Sequence, residues 1–187
     1  MKRCFDFLIS ILILLIISPL LIITAVLIKT TSKGPLFFKQ ERVGKKGSLF
    51  SVYKFRTMID DKYRDLSKQT FNNDAEITRV GKVIRRLKID ELPQLFNVVK
   101  GDMSLVGPRP CLPALVKEFD ESGKKRLLVR PGLTGLAQVN GNIYLSWEER
   151  WKFDRKYVEQ QSFLLDLKIL SKTALIVLLG EKWGKKI

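Results

Sequence analysis

The chain opens with a long apolar run. Residues 7–28, FLISILILLIISPLLIITAVLI, contain no charged side chain and only three hydroxyl residues. A helix of about 20 apolar residues is long enough to cross the hydrocarbon core of a bilayer. The run is too long for the core of a signal peptide, and no small-residue cleavage site follows it. We therefore expect a retained membrane helix in residues 1–30, followed by a second domain in residues 31–187.

The charges around this run leave its path through the membrane open. Basic residues flank both ends, at Lys2 and Arg3 on one side and at Lys29, Lys33 and Lys39 on the other. Basic residues usually flank the cytoplasmic end of a membrane helix, so this rule does not indicate which end of the run is cytoplasmic. A re-entrant helix would place both flanks in the cytoplasm. It would bend at Ser18-Pro19, where proline removes a backbone hydrogen bond and the serine hydroxyl can bond the freed carbonyl. A spanning helix with a proline kink is the alternative.

Alternating positions after the membrane segment predict a β-hairpin. Residues 36–58 contain two runs rich in β-forming residues, separated by the turn sequence Gly44-Lys45-Lys46-Gly47. In the second run the alternation of Phe50, Val52, Lys54 and Arg56 places the two basic residues on one strand face. Two cations on one face can bind phosphate, although a solvated face has the same pattern.

A polar segment and a basic helix follow the hairpin. Residues 60–76 are polar and predict a mobile loop of the kind that often closes over a site. From about Thr78 to Leu87 the spacing predicts a helix on which Arg79, Lys82 and Arg86 share one face and Arg85 overlaps it. Such a face is usually solvated, but its position just before two carboxylates favours a contact between an arginine and a substrate.

The two carboxylates, Asp90 and Glu91, stand at the start of the next predicted helix. They precede residues 92–99, LPQLFNVV, in which Pro93 is tolerated only in the first turn. The free N–H groups and the positive dipole end of a helix stabilise anions, including carboxylates and phosphates. Asp and Glu are also ordinary capping residues, so spacing alone leaves both a structural and a catalytic role open.

Two loop segments add candidate phosphate contacts. In residues 101–110, GDMSLVGPRP, Arg109 stands between two prolines that restrict its backbone. A rigidly presented guanidinium suits phosphate binding, although a structural turn with an exposed arginine has the same sequence. The glycines of residues 129–141 are only weak evidence for a phosphate site.

The C-terminal part combines an aromatic helix with an apolar one. An aromatic helical surface is formed by Trp147, Trp151, Phe153, Tyr157 and Val158. It fits either core packing or contact with bilayer headgroups. In residues 162–180 an apolar helix is interrupted by Asp166, Lys168 and Lys172, and these charges favour a position in the membrane interface. The predicted fold is α+β: a re-entrant membrane helix, a small β-hairpin, and several short and amphipathic helices packed at the membrane interface.

Composition narrows the chemistry. The chain has 34 basic and 19 acidic residues, a formal net charge of +15, and 45% hydrophobic residues. This balance fits nucleic acid, an anionic bilayer face or a phosphate-rich substrate. The absence of histidine removes the commonest base at neutral pH and the commonest zinc ligand. The two cysteines, Cys4 and Cys111, form no CxxC motif, which favours a reduced, cytoplasmic setting.

Three segments resemble one known family. KFRTM (54–58), IDELPQLFNVVKGDMSLVGPRP (89–110) and RPGLTGLAQVNG (130–141) are similar to the bacterial sugar transferases, the monotopic phosphoglycosyl transferases, and the likeness covers essentially the whole chain. It implies transfer of a sugar-1-phosphate from a UDP-sugar to undecaprenyl phosphate, with release of UMP and a covalent aspartyl-phosphosugar intermediate. This reaction would be the first membrane step in making a surface glycan, such as a capsule, O-antigen, exopolysaccharide or glycoprotein.

The resemblance also implies roles for individual residues. Asp90 matches the nucleophile and a magnesium ligand of the family, Glu91 its acid/base carboxylate, and Arg109 its phosphate-binding arginine. Lys54, Arg56 and Arg85 fall where basic residues of the family line the site. The implied setting is the bacterial inner membrane, with a re-entrant helix and the catalytic domain on the cytoplasmic face, and the implied cofactor is Mg²⁺. The chain departs from the family at Asn142-Ile143, where many members carry an arginine.

Other functions fit part of the sequence. A noncatalytic, membrane-tethered basic module would bind anionic lipid or nucleic acid, and an inactive member of the fold would act as a scaffold. The transferase interpretation predicts a UDP-sugar, undecaprenyl phosphate and membrane lipid as partners, and no nucleic acid. A second copy of the chain and downstream glycosyltransferases are further candidate partners. The motifs do not indicate which sugar or which glycan is involved, because sugar choice depends on pocket shape.

Overall fold

Helices and two small sheets make up the chain, as the predicted α+β class requires. The computed structural model describes residues 2–59 and 76–180. The helices of the described part are α1 Lys2–Thr31, α2 Arg79–Arg86, α3 Gln94–Lys100, α4 Glu121–Lys125, α5 Trp147–Gln160 and α6 Phe163–Leu179. The strands are β1 Phe37–Val43, β2 Leu49–Phe55, β3 Ser104–Val106 and β4 Gly132–Thr134. Most of the loop predicted at 60–76 lies outside the described residues.

Helix α1 contains the apolar run and continues through its proline. It has 30 residues and, within the described part of the chain, is the one helix long and apolar enough to cross a bilayer. Pro19 has no N–H to bond the carbonyl of Leu15, four residues earlier. The Ser18 hydroxyl donates to that carbonyl instead, at 2.8 Å. The predicted Ser18 hydrogen bond is therefore confirmed, whereas the predicted break of the helix at Ser18-Pro19 is wrong, because this bond replaces the missing one and α1 continues through both residues.

The first turns of α1 are bound to the folded domain by polar contacts. Lys2 Nζ lies 2.6 Å from Asp166 Oδ2 of α6. The Arg3 guanidinium donates to the carbonyls of Val98 and Val99 at the end of α3, the second at 2.7 Å. Cations are favourable at the negative end of a helix. The start of α1 is thereby fixed to both α3 and α6.

The last turns of α1 contact the same domain at a different place. Ile28 is buried in a cluster with Phe55 of β2 and Ile84 of α2. Just after the helix, Ser32 accepts hydrogen bonds from Arg56 on both its carbonyl and its hydroxyl, each at 2.8 Å. Both ends of α1 therefore pack against one folded unit, while much of its remaining surface exposes apolar side chains.

The predicted hairpin is confirmed, and a second small sheet accompanies it. Strands β1 and β2 pair antiparallel, with Phe37 opposite Phe55 and Val43 opposite Leu49. Lys46 takes a left-handed conformation in the turn between them, with φ of 58°, which is uncommon for a residue other than glycine. Strands β3 and β4 pair parallel inside the core. Strand β3 leads into the loop that carries Arg109, and β4 follows Arg130.

Asn97 links α3 to the hairpin inside the main core. Its side chain is fully buried. Its Oδ1 accepts from the backbone N–H of Tyr53 at 3.1 Å, and its Nδ2 donates to the carbonyl of Ser51 at 2.8 Å. The amide therefore bonds two backbone groups on the edge of β2 that is not paired with β1. Apolar neighbours, including Val52 and Leu95, surround it.

The aromatic surface of α5 is mostly internal. Trp151 is buried against Phe119, and Tyr157 is buried within the main core. The Tyr157 hydroxyl lies 2.7 Å from Asp166 Oδ1 and 2.9 Å from the carbonyl of Val106. Core packing therefore accounts for these two aromatic residues, while Trp147 remains partly exposed.

Asp166, one of the three charges from which an interfacial position of the last helix is predicted, is not on its exposed surface. Its carboxylate is buried and is bound by Lys2 and Tyr157. Because both partners come from other helices, the sequence of α6 alone could not indicate this. The exposed face of α6 remains apolar at Phe163 and Leu164, as a helix at the membrane interface requires.

Replacing Asn97 by alanine should destabilise the fold. The Tyr53 N–H loses its partner, and unsatisfied buried groups of this kind cost about 1–3 kcal/mol each. We expect a thermal midpoint several degrees lower in detergent, measured by circular dichroism. Lys100→Ala, on the same helix but with a side chain 66% exposed, should leave the midpoint nearly unchanged. Equal midpoints for the two variants would show that the Asn97 bonds do not hold α3 to β2.

Candidate active site

The two adjacent carboxylates lie in a turn between two helices. A single 3-10 turn, Ile89–Glu91, follows α2, and Pro93 then caps α3. Lys88 opens the turn in a left-handed conformation, with φ of 58°. This geometry matches the predicted position of Asp90 and Glu91 just before a helix.

Glu91 is the centre of an ion-pair network. Its Oε1 lies 2.7 Å from Lys54 Nζ and 2.6 Å from one Arg109 nitrogen, while Oε2 lies 3.3 Å from the other. The guanidinium thus grips the carboxylate with two bonds, the geometry in which arginine binds carboxylates and phosphates most strongly. Three residues predicted from separate segments therefore meet here: Lys54 of the hairpin, Glu91 of the dyad that it forms with Asp90, and Arg109 of the proline-rich loop at residues 107–110.

The pKa values follow from this pairing. Burial alone would raise the pKa of Glu91, but the charges and hydrogen bonds of Arg109 and Lys54 hold it well below its ordinary value. Burial lowers the pKa of Lys54, an effect that the charge of Glu91 opposes. Glu91 is therefore ionised over the whole physiological range.

Asp90 has a different environment from its neighbour. Within the described part of the chain its carboxylate makes no hydrogen bond or ion pair. Burial, followed by the negative charge of Glu91, raises the pKa of Asp90, and the charges of Lys54, Arg85 and Lys88 oppose this rise. A carboxylate that is half-buried, unbonded and flanked by cations is available to react with an anionic substrate.

Arg85 is the member of the basic helix that turns towards the site. Its Nε donates to the Thr57 hydroxyl at 2.8 Å, and its charge acts on Asp90. The face predicted from Arg79, Lys82 and Arg86 is exposed. Helix α2 is held close to the end of the hairpin at Gly81, where an added Cβ would lie 2.0 Å from the Thr57 carbonyl.

Arg56 does not join Lys54. Strand β2 ends at Phe55, and the Arg56 side chain is buried towards Ser32 at the end of α1. There its positive charge lies at the negative end of a long helix. The expectation that both cations share a strand face is therefore wrong, because the strand stops between them. The role of Arg56 in phosphate binding stays a prediction.

The loop that carries Arg109 is fixed by close backbone packing. A Cβ at Gly132 would lie 2.1 Å from the Gly107 nitrogen, and one at Gly135 would lie 2.1 Å from the Gly107 oxygen. These glycines are needed so that two backbone segments can touch. That packing explains Gly132 and Gly135, whereas Gly141 has a positive φ of 130°.

Two arginines that the sequence did not single out hold the same loop. Arg126 donates to the carbonyl of Arg109, and Arg42 lies 3.4 Å from the carbonyl of Pro110. Arg126 also pairs with Asp154 of α5 at 3.3 Å, and both side chains are buried. Arg42 stands between Glu41 and Val43 in β1, and this local sequence does not mark it. No local pattern marks Arg126, because its partners are distant in the chain.

The metal-binding capacity of the site is small. Among residues 2–59 and 76–180 no group of three or more acidic, cysteine or histidine side chains could enclose a metal ion. Asp90 supplies one carboxylate without a hydrogen bond in the part of the chain that the structure describes, next to the engaged Glu91. Magnesium typically binds one or two carboxylates together with water and substrate phosphates, and this donor set fits that mode and not a preformed cage.

Comparison with known proteins gives one consistent family. A family model described as bacterial sugar transferase matches residues 1–180. An uncharacterized sugar transferase EpsL from Bacillus subtilis is 44% identical over 181 residues, which cover 97% of this chain and 89% of the relative.

Two other relatives carry names that state a reaction. A UDP-N-acetylgalactosamine-undecaprenyl-phosphate N-acetylgalactosaminephosphotransferase from Aeromonas hydrophila is 44% identical, covering 96% of this chain and 44% of the relative. A UDP-glucose:undecaprenyl-phosphate glucose-1-phosphate transferase from Klebsiella pneumoniae is 42% identical, covering 90% of this chain and 38% of the relative. The chain thus spans most of the Bacillus protein and less than half of the other two.

Replacing Glu91 by glutamine should lower the pKa of Asp90. The substitution removes a neighbouring negative charge and leaves the charges of Lys54 and Arg109 uncompensated, and both changes favour ionised Asp90. Titration of ¹³C-labelled aspartate carboxyls by NMR in detergent measures this pKa. Glu121→Gln, on the exposed surface of α4, should leave it unchanged. A pKa of Asp90 that rises or stays constant in Glu91→Gln would contradict the electrostatic picture of the dyad.

Proposed function

Because the chain belongs to the bacterial sugar transferase family, we propose that it transfers a sugar-1-phosphate from a UDP-sugar to undecaprenyl phosphate. UMP is the second product. The names of the Aeromonas and Klebsiella relatives each include undecaprenyl phosphate as acceptor and a UDP-sugar as donor. The observation that carries the proposal is the contrast within the dyad: Glu91 holds two cations, and among the described residues the Asp90 carboxylate has no hydrogen bond or ion pair.

The proposed reaction has two displacements at phosphorus. In the first, a carboxylate oxygen of Asp90 attacks the sugar-linked phosphorus of the UDP-sugar. The bond from that phosphorus to the bridging oxygen breaks, and the oxygen leaves with UMP. In the second, a phosphate oxygen of undecaprenyl phosphate attacks the same phosphorus, and the Asp90 carboxylate leaves. The product is a polyprenyl diphosphate-sugar, and the enzyme returns to its starting form.

Electrostatics makes the first step feasible. A carboxylate is a weak nucleophile, and its attack on a diphosphate brings two anions together. Lys54 and Arg109 lie beside the dyad, and Arg85 acts on Asp90 from α2. Phosphoryl transfer depends mainly on positioning and on neutralising charge. A cationic pocket without histidine supplies both.

Glu91 holds the cations until a substrate arrives. Its pairing with Arg109 and Lys54 keeps two side chains in fixed positions at the site. An incoming diphosphate presents more negative charge than one carboxylate and competes for the same donors. Glu91 is then released from part of its pairing and can accept or donate a proton beside Asp90, the acid/base role that the family resemblance implies.

The donor set around Asp90 fits magnesium carried in part by the substrate. The Asp90 carboxylate would hold the ion, because Glu91 is occupied by Lys54 and Arg109. When bound, Mg²⁺ supplies positive charge that neutralises the diphosphate. Asp90 itself orients one oxygen towards phosphorus, and Lys54 and Arg109 bind the phosphate oxygens that remain.

The arrangement of α1 supports a re-entrant path with the active site at the cytoplasmic face of the inner membrane. Both ends of α1 contact one folded domain, through Arg3 at the start and Ile28 near the end. A helix that crossed the bilayer would place its ends on opposite sides. The exposed apolar faces of α1 and α6 would then enter the same leaflet and bring the dyad to the depth of a lipid phosphate.

Replacing Asp90 by asparagine should abolish UMP release from a panel of UDP-sugars. Removing a covalent nucleophile lowers turnover by on the order of a thousandfold or more. Intact-protein mass spectrometry should detect a phosphosugar adduct on the wild type after mixing with the donor alone, and no adduct on the variant. Glu121→Gln serves as a control for a carboxylate lost elsewhere. Near-normal turnover of Asp90→Asn would remove Asp90 from the nucleophile role.

Cysteine labelling should place both ends of α1 on the cytoplasmic side. Cys4 is exposed near the start of the helix, and Cys111 is buried. In a Cys111→Ala background, a membrane-impermeant maleimide should label Cys4 in inverted vesicles and not in spheroplasts. A Cys4→Ser variant carrying Lys33→Cys should give the same pattern. Labelling of the two positions from opposite sides would show a spanning helix.

A further inference from the structure

Helix α2 carries basic side chains and no acidic ones. Its sequence, RVGKVIRR, contains four basic residues, of which Arg85 turns towards the active site. The other three are exposed and form no ion pair within the part of the chain that the structure describes: Arg79, Lys82 and Arg86. Residues three and four apart share one face of a helix, so these three form a cationic row. Like charges at this spacing repel each other.

Exposed cations on two other helices have acidic partners. Lys124 of α4 pairs with Glu121 at 2.8 Å, and Arg155 of α5 pairs with Glu159 at 2.9 Å. Both pairs lie within one helix, which is a common way for a water-facing helix to balance its charge. Within the described residues the cationic row of α2 has no such partner, and an external anion would relieve the repulsion along it.

Two exposed apolar side chains lie beside the cationic row. Val83 is 57% exposed and Leu87 is 50% exposed. Because an α-helix turns by about 100° per residue, both lie between the row and the face on which Val80 and Ile84 pack against α1. The surface of α2 therefore passes from the contact with α1, through exposed apolar side chains, to the cations.

The end of α1 continues this apolar surface. Leu21 and Ala25 of α1 are partly buried in the contact with α2, whereas Val26 and Leu27 are exposed. The apolar run ends at Lys29, so α2 packs where the hydrocarbon of a bilayer would give way to its headgroups. A helix with one apolar side and a basic row on the other is typical of that position.

We propose that the cationic row of α2 binds the phosphate groups of anionic phospholipids, with Val83 and Leu87 inserted below the headgroups. A soluble anion or a nucleic acid would leave these two apolar side chains in water, whereas a lipid surface covers both parts of the face. The row ends four residues before Asp90, so lipid bound here would hold the dyad at the depth of lipid phosphates. This inference requires that α1 enters a bilayer, and it does not depend on the transfer reaction.

Lipid-specific quenching tests this surface. A fluorophore is attached to Val83→Cys in a Cys4→Ser, Cys111→Ala background, and the protein is reconstituted in nanodiscs of phosphatidylcholine with a fixed minority of phosphatidylglycerol. Bromine, which quenches on contact, is carried by one lipid or by the other. Per brominated lipid, phosphatidylglycerol should quench at least about twofold more, because basic residues near a membrane attract anionic lipid. Equal quenching by the two lipids, or none by either, would contradict the proposal.

Charge variants identify the source of this preference. Replacing the three residues of the cationic row by glutamine should make the two brominated lipids quench equally. A control variant removes the same charge from exposed positions of the hairpin turn and α4, with the substitutions Lys45→Gln, Lys46→Gln and Lys124→Gln. The control should keep the preference for phosphatidylglycerol. A preference that survives loss of the cationic row, or that disappears equally in the control, overturns the inference.

Other occupants of this face give different results. Shielding of the fluorophore from both brominated lipids and from aqueous iodide would indicate a covering protein, such as a second copy, and would refute the lipid contact. A preference that arises only after undecaprenyl phosphate is added would assign the row to the acceptor lipid instead. Should the variant that lacks the row fail to fold, as judged by circular dichroism, salt decides. The preference of the parent protein should fall as ionic strength rises, and a salt-independent preference overturns the inference.

Discussion

The shared carboxylate of Glu91 is the contact on which the site depends. It joins Lys54 of the hairpin to Arg109 of the proline-rich loop through bonds of 2.7 and 2.6 Å. Two cations and one anion leave a net positive charge, and the Asp90 carboxylate next to them makes no hydrogen bond within the described residues. Burial would be costly for any of these charges alone. Together they form a cationic pocket, and in the proposed reaction a more highly charged phosphate takes over its donors.

The membrane helix belongs to the same structural unit as the site. Arg3 of α1 binds the carbonyls that end α3, and the dyad lies just ahead of the opposite end of that helix. Arg56, next to Lys54 in the chain, binds Ser32 at the far end of α1. The position of the apolar helix and the position of Asp90 are therefore coupled through two short elements. In the proposed reaction between a soluble donor and a lipid acceptor, this coupling would match the depth of the site to that of the lipid phosphate.

Backbone packing and buried ion pairs place the loop of Arg109 from behind. Gly107, Gly132 and Gly135 allow segments to meet at distances that no side chain would permit. Arg126, paired with Asp154, holds one loop carbonyl, and Arg42 holds the next. These contacts hold the Arg109 guanidinium beside Glu91. Preorganised charge of this kind stabilises a phosphoryl-transfer transition state without rearrangement during the reaction.

Local patterns in the sequence determined the apolar helix, the hairpin and the turn that carries Asp90 and Glu91. Motifs also identified Lys54 and Arg109, the two cations that bind Glu91. These features depend on hydrophobic period, proline position and motif, which act over a few neighbouring residues. The tertiary structure alone decided that Arg56 turns to Ser32, that Asp166 is buried against Lys2, and that Arg42 and Arg126 hold one loop. Each of these contacts joins residues more than 15 positions apart. The side chain of an isolated charged residue has no periodic signal, and its direction is set only when packing determines which distant partner it can reach.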